Sequence, residues 1–269
     1  MHFQKPATKL AFAGLASFLA IAAPLCAQTP PRERLSIDSN WLFTRGDLPG
    51  DRANLSTAAY VRTDFDDRAW QRVNLPHDWA IGGPFIADGP GEMGRLPSAG
   101  VGWYRRRLNI PTTDAGKSVF LDVDGAMSNA SVWLNGHLVG GRPYGHTSWR
   151  VDLSPYVAPG GTNELAIRLN NPPGSSRWYP GGGIYRHVWL TKTKPVHVAQ
   201  WGTYVRTRHV SSAAATIDLD VTIDNDAPND ETVHVVTQLY PLDEKGRPID
   251  AAAASIESAE ERVHAKAST

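Results

Sequence analysis

Apolar residues recur at every second position through most of this chain, which is the spacing of a strand and not of a helix. Val119, Leu121 and Val123 share one face of a strand, and Leu165, Ile167 and Leu169 share another. Val132 and Leu134 run into Asn135-Gly136 and are answered by Leu138-Val139. Asn-Gly between two alternating runs marks a tight hairpin, because a type I′ turn places both central residues at positive φ. No segment repeats its apolar residues at a sustained helical period, and no capping box opens a long amphipathic run. Short strands with Gly, Pro and Asn between them imply an all-β sandwich or barrel.

The character changes near Lys192-Thr193-Lys194-Pro195. Downstream, Ile217, Leu219, Val221 and Ile223 alternate with Asp218, Asp220 and Thr222, and Val233, Val235 and Leu239 make a further strand. The pattern is that of an immunoglobulin-like sandwich, for which about seven strands are expected. About four fit before Thr269, so the second sandwich is expected to be incomplete. Ala251–Thr269 shows no strand pattern and reads as a short helix or an unpaired tail. The expected organisation is residues 1–27 as a leader, 35–194 as the first sandwich and 195–269 as the truncated second one.

Lys5 and Lys9 precede an uncharged apolar run from Leu10 to Leu25, and Ala27 offers a small residue for cleavage. That order is a secretory signal, the alternative being an uncleaved anchor. Cys26 is the single cysteine and lies within it, so a chain cut after Ala27 has no thiolate nucleophile, no disulfide and no thiolate metal site. A bacterial periplasmic or secreted location is expected. Lys and Arg total 27 and so do Asp and Glu, which gives no electrostatic grip on nucleic acid or on an anionic membrane surface.

Nine Trp and 24 Gly come together most densely in Arg177-Trp178-Tyr179-Pro180-Gly181-Gly182-Gly183-Ile184-Tyr185-Arg186. Aromatic faces and planar guanidinium forks suit sugar rings. Glycines let a backbone approach where a Cβ would block it. Upstream lie Leu75-Pro76-His77-Asp78-Trp79, Gly100-Val101-Gly102-Trp103-Tyr104-Arg105, Asp124-Gly125-Ala126-Met127-Ser128-Asn129-Ala130 and Val132-Trp133-Leu134-Asn135-Gly136. In this order the five blocks resemble the N-terminal half of glycoside hydrolase family 2, nearest to bacterial β-galactosidases with the Arg-Trp-Tyr-Pro-Gly form of the last block. The resemblance runs from about Leu35 to Leu190 and more weakly to about Leu239. It implies a jelly-roll sugar-binding domain, a galactose-binding-domain-like β-sandwich, followed by an immunoglobulin-like sandwich. It also implies a (β/α)8 barrel carrying two catalytic glutamates, to which nothing in this chain corresponds.

Retaining hydrolysis needs two carboxyl groups about 5 to 5.5 Å apart. Asn163-Glu164 imitates the family's acid/base pair, but it opens the strand that continues to Leu169 and reads as a solvated strand-entry residue. Glu257, Glu260 and Glu261 read as a charged tail. The expectation is therefore no catalytic residue here and a role in substrate positioning. Two loops match the family's sugar-facing loops: Asp88 to Gly102, and Ser175 to Tyr179. Where well-known branches have an Asp, six residues before Gly183, this chain has Arg177. A guanidinium donates and does not accept, so the Asp's role does not transfer. Arg177, Trp178 and Tyr179 are the candidate substrate-binding residues, with a salt bridge (Arg177) or packing between domains (Trp178, Tyr179) as the alternatives.

Trp103, Tyr104 and Trp133 are expected in the packing, and Arg186 in a structural ion pair. Alternation sets Arg105 with Arg107 on one face and Tyr104 with Arg106 on the other. His77-Asp78 reads as a hydrogen-bonded loop lock. Gly89-Pro90-Gly91-Glu92-Met93-Gly94 spells a dinucleotide fingerprint but lacks its strand and helix. No metal site and no cofactor are expected. The expected partners are a β-galactoside or related oligosaccharide and the barrel of the same enzyme. A free-standing carbohydrate-binding module, or a glucuronidase or mannosidase of the same family, are the other readings; a jelly roll alone does not decide between them.

Overall fold

The computed structural model describes residues 31–51, 55–87, 94–174, 178–249 and 251–266. The leader assigned to residues 1–27, with Cys26, lies outside them. Up to Thr193 the strands are β1 (Arg32–Ser36), β2 (Trp41–Arg45), β3 (Gln71–Val73), β4 (Gly100–Leu108), β5 (Ser118–Val123), β6 (Ala130–Leu134), β7 (His137–Arg142), β8 (Trp149–Asp152), β9 (Asn163–Asn171) and β10 (Val188–Thr193). They form two antiparallel sheets, ordered β1-β10-β5-β8 and β3-β2-β4-β9-β6-β7. Among the described residues, helix is confined to three-residue 3-10 turns. The chain is all-β with sandwich-type sheets.

Strand alternation decides what fills the space between the sheets. Val119, Leu121 and Val123 from one sheet share a core with Tyr104, Leu165, Ile167 and Leu169 from the other. Asn135 (φ 52°) and Gly136 (φ 84°) make the turn that joins β6 to β7, as the Asn-Gly pair requires.

The six-stranded sheet also carries a core on its outer face. Trp103 and Trp133 stack there with ring centroids 5.4 Å apart, and Tyr60 meets Trp103 edge-on. The segment between β2 and β3 supplies Tyr60, Phe65 and Trp70 as the cover. Trp103 Nε1 donates to Asp47, whose carboxylate also takes a bidentate pair from Arg168 at 2.8 and 2.7 Å. Arg105 lies on the same side, buried, and Arg106 lies on the other, beside Trp41.

Two expectations change in this region. Glu164 opens β9 as expected but is not solvated: only 4% of its surface is exposed. Its neighbour across the ladder is Arg107, which donates to it at 2.6 Å, and Arg105 approaches at 3.5 Å. Facing guanidinium groups make burial of the carboxylate tolerable. Arg186 is exposed and makes no ion pair among the described residues.

Beyond Pro195 come β11 (Val196–Arg208), β12 (Thr216–Asn225), β13 (Glu231–Val233), β14 (Val236–Leu239), β15 (Ala254–Glu257) and β16 (Glu261–Val263). They pair as three two-stranded ladders, β11-β12, β13-β16 and β14-β15. Over residues 251–266 the stretch is therefore not a helix, and it is paired through β15 and β16. Its Ala- and Glu-rich strands lack apolar alternation because their side chains are almost all exposed, so no inward face left a mark in the sequence.

Candidate functional site

One edge of the first sandwich gathers three loops. The first is Leu75–Trp79, which follows β3. The second is Gly94–Gly102, leading into β4. The third is Trp178–Ile184, before β10. Two backbone bonds lay the third against the first: His77 N donates to the Ile184 carbonyl and Trp79 N to the Gly182 carbonyl, both at 2.8 Å. This short ladder explains the glycines. A Cβ on Gly182 would sit 2.5 Å from the Trp79 ring, and one on Gly183 (φ +134°) would sit 2.4 Å from the His77 carbonyl oxygen. The close approach is to the His77–Trp79 strand and is structural.

Side chains clamp the same strap. Asp78 Oδ1 accepts from Ala80 N at 2.9 Å and Gly182 N at 3.1 Å, while Oδ2 accepts the Tyr179 hydroxyl at 2.7 Å. Burial, and then the Asp78 hydrogen bond and charge, push the Tyr179 hydroxyl well above its ordinary range, so it stays protonated as the donor. His77 Nδ1 pairs with the Tyr104 hydroxyl at 2.8 Å. Burial lowers the His77 pKa, with Asp78 partly opposing it; the neutral ring is favoured. His77-Asp78 is a loop lock, as its place in a Leu-Pro turn suggested.

Asn171, at the end of β9, bridges the other two loops. Its fully buried amide donates to the Ser98 and Gly181 carbonyls, each at 3.0 Å. Trp79 Nε1 reaches Ser98 O at 3.1 Å, and Arg45 stacks over Trp79 at 4.6 Å while donating to Ala99 O. Gly94 lies against the Tyr179 ring, 3.4 Å from where its Cβ would be. The described parts of the two loops singled out from sequence meet here, at Gly94 and Tyr179; residues 88–93 of the first and 175–177 of the second lie outside the described residues.

Of the three candidate binding residues, Arg177 lies outside the described residues. Trp178 is 68% exposed. Tyr179 is half-buried, its ring against Gly94 and its hydroxyl held by Asp78. The arrangement can present an indole face on a rigid mount. Among the described residues it offers no pair of carboxyl groups: Asp78 already accepts from three donors, and Glu164 sits seven residues back along β9 from Asn171, roughly 23 Å at strand rise. Among the described residues, no group of three or more His, Cys, Asp or Glu is placed to hold a metal. Nothing in the sequence analysis pointed to Ile81 and Phe85, both exposed on the continuation of the first loop, where Ile86 N bonds to Arg95 O. Apolar residues around the turn Ile81-Gly82-Gly83-Pro84-Phe85-Ile86, outside any strand pattern, were the available signal. Tyr185 precedes β10, with its hydroxyl on the Gly145 carbonyl at 2.9 Å.

This edge can be compared with known proteins. A family profile described as glycosyl hydrolase 2 galactose-binding domain-like matches residues 94–179, which span the second loop, the core strands and the start of the strap. The chain belongs to glycoside hydrolase family 2. A β-galactosidase of Bacteroides ovatus is 41% identical over 221 residues, covering 81% of this chain and 25% of that protein. A protein named a putative β-glucuronidase from Formosa agariphila is 30% identical over 213 residues, covering 78% of this chain and 20% of that protein. Among solved structures, a family 2 glycosyl hydrolase of Bacteroides cellulosilyticus superimposes with a TM-score of 0.72 at 32% identity, over 86% of this chain and 30% of that one. The chain thus spans a fifth to a quarter of the length of these two curated relatives, and matches their N-terminal part.

Proposed function

We propose that this chain forms one wall of the terminal-sugar subsite of a β-galactosidase-like, retaining glycosidase. The observation that carries the reading is the exposed Trp178 indole on a strap that Asp78, Asn171 and the glycine ladder hold rigid. An aromatic face stacks on the C–H face of a pyranose, and a rigid mount lowers the ordering cost of doing so. Tyr179 extends the wall, and Arg177 is its candidate hydroxyl donor. The paired carboxyl groups of a double displacement belong to other residues of the parent polypeptide, so the 269-residue chain alone is inactive. The second reading, a β-glucuronide substrate, is favoured by the Formosa relative's name. The N-terminal pattern of Lys5, Lys9 and the apolar run supports export to the periplasm or medium.

A chimera tests this reading. This chain replaces the equivalent quarter of the Bacteroides ovatus β-galactosidase, and nitrophenyl β-galactoside and β-glucuronide are compared as substrates. Trp178→Ala is expected to lower kcat/KM about tenfold, consistent with the loss of one aromatic contact. An unchanged kcat/KM sinks the wall, and preference for the glucuronide replaces the sugar. Turnover of nitrophenyl β-galactoside by the 269-residue chain alone would refute its inactivity.

A further inference from the structure

The outer face of the four-stranded sheet holds a second feature, separate from the strap. Val119, Leu121 and Val123 of β5 face the core, so Phe120 and Asp122 face outward. The first half of β11 lies on that side. His197 packs against Phe120 with ring centroids 5.6 Å apart, Gln200 Nε2 donates to Asp122 at 3.3 Å, and Arg32 donates to the Val198 carbonyl. A cavity of about 300 Å³ opens here, lined by Arg34, Asp122, Asp124, Ser148, Arg150 and Trp201 among others. That volume is at the lower end of the range for small-molecule sites.

Its polar floor is already ordered. Asp122 takes a bidentate pair from Arg150 at 2.6 and 3.0 Å and the Thr191 hydroxyl at 2.7 Å. Asp124 Oδ2 accepts from Trp189 Nε1 at 3.0 Å. Its Oδ1 is 3.9 Å from Arg34, beyond hydrogen-bond length, so it keeps acceptor capacity. Arg34 is stacked over Trp189 at 3.9 Å and half exposed, which fixes the plane of a donor fork.

Trp201 is put at the rim by the backbone. The β11-β12 register breaks between Val198 and Thr203. Within the break Trp201 adopts φ +54°, and the next residue has to be glycine: a Cβ on Gly202 would be 2.8 Å from the Thr222 carbonyl oxygen and 2.9 Å from Ala199 Cβ. Left-handed backbone is unfavourable for a bulky residue, and a bulge re-aims a side chain. The outcome is an indole that is 74% exposed at the mouth of a polar cavity, where core packing gives it no reason to be.

We infer that this cavity is a second carbohydrate site, which holds one pyranose unit of a glycan on the Trp201 ring. The sugar's C–H face meets the indole, Asp124 Oδ1 accepts a hydroxyl proton, and Arg34 donates to a hydroxyl oxygen. Three arginines (Arg32, Arg34, Arg150) against two aspartates (Asp122, Asp124) leave too little net charge to hold a polyanion. A polar floor does not suit an apolar peptide.

The test is a titration of the 269-residue chain with lactose, cellobiose and methyl β-glucuronide, read from the indole and backbone N–H resonances in ¹⁵N–¹H spectra, with the Gln200 and Gly202 amides following binding in variants that lack the Trp201 indole. At least one sugar is expected to move the Trp201 signal saturably. Trp201→Ala should weaken that binding about tenfold, Trp201→Phe should retain most of it, and Trp178→Ala should leave it unchanged. The inference is overturned if no sugar moves the Trp201 signal. Equal binding by Trp201→Ala overturns it too, as does a shift that tracks protein concentration and so reports self-association. Binding abolished by Trp178→Ala but not by Trp201→Ala would sink this site and leave the strap reading standing.

Discussion

The two halves of this chain use the same alternation and end in different states. In residues 31–194, Val119, Leu121 and Val123 meet a facing sheet and disappear from solvent. In residues 196–266, Ile217, Leu219, Val221 and Ile223 alternate at least as cleanly, yet with Val233 and Ile256 they line a trough of about 560 Å³. Ile217, Val236 and Ile256 are exposed. Period-2 spacing says which face of a strand is apolar; it does not say whether a second layer covers that face. The first half also buries ionic groups, Arg168 with Asp47 and Lys192 with Asp114. Among the described residues, the ion pairs of the second half mostly have exposed arginines, where pairing contributes little.

The contrast breaks most directly at a tryptophan. Trp133→Ala opens the outer-face core where Trp133 stacks on Trp103, and should cost about 3 to 5 kcal/mol in denaturant-derived stability of the first half. A loss under 1 kcal/mol would mean that the cover formed by Tyr60, Phe65 and Trp70 is not a packed layer. Gly183→Ala comes next. Its Cβ would meet a carbonyl oxygen at 2.4 Å in a backbone region unsuited to L-residues, and a carbonyl in a paired strand has little room to yield. A loss of about 2 to 3 kcal/mol is expected, with a matching change in Trp79 fluorescence as the strap lifts.

Much of this was legible in the sequence because it is local. Asn135-Gly136 prescribes its own turn. Alternation through Trp103-Tyr104-Arg105-Arg106 assigns each side chain a face, and each is found there. The family resemblance follows from motifs of the same short range. What was not legible depends on partners distant in the chain. Glu164 looks solvated until β4 brings Arg107 opposite it. Asp78 shows nothing of its Tyr179 and Gly182 donors, which lie 101 and 104 residues downstream. The strands at Ala254–Glu257 and Glu261–Val263 have no buried face to mark them. At the candidate site, the glycines were recognised as a close-approach device, but what they approach is the His77–Trp79 segment.

The uncovered trough sharpens the comparison with a smaller effect. Leu219→Ala removes a half-buried side chain, so its expected cost is about 1 kcal/mol, against 2 to 5 for a fully buried leucine such as Leu165. Hydrogen exchange measured on both variants separates local from global loss. If Leu219→Ala costs as much as Leu165→Ala, the second half is a packed layer in solution and the contrast between the halves fails.

The smallest effect is a pH dependence confined to the strap. Burial lowers the folded-state pKa of His77 below 6.5, only partly opposed by Asp78. The unfolded chain therefore binds the proton more readily than the folded one as pH falls through 6.5. Stability from this group is constant above that pH and declines below it, until the folded ring also protonates. Protonation would leave the Tyr104 hydroxyl as acceptor only, although that oxygen also faces Ile184 N at 3.4 Å. The Trp79 and Ile184 amides should thus lose exchange protection as pH falls below about 6.5, and the change should be absent in His77→Gln. The same loss in His77→Gln would assign it to another group. No loss in the native chain would mean that the His77–Tyr104 bond does not hold the strap down.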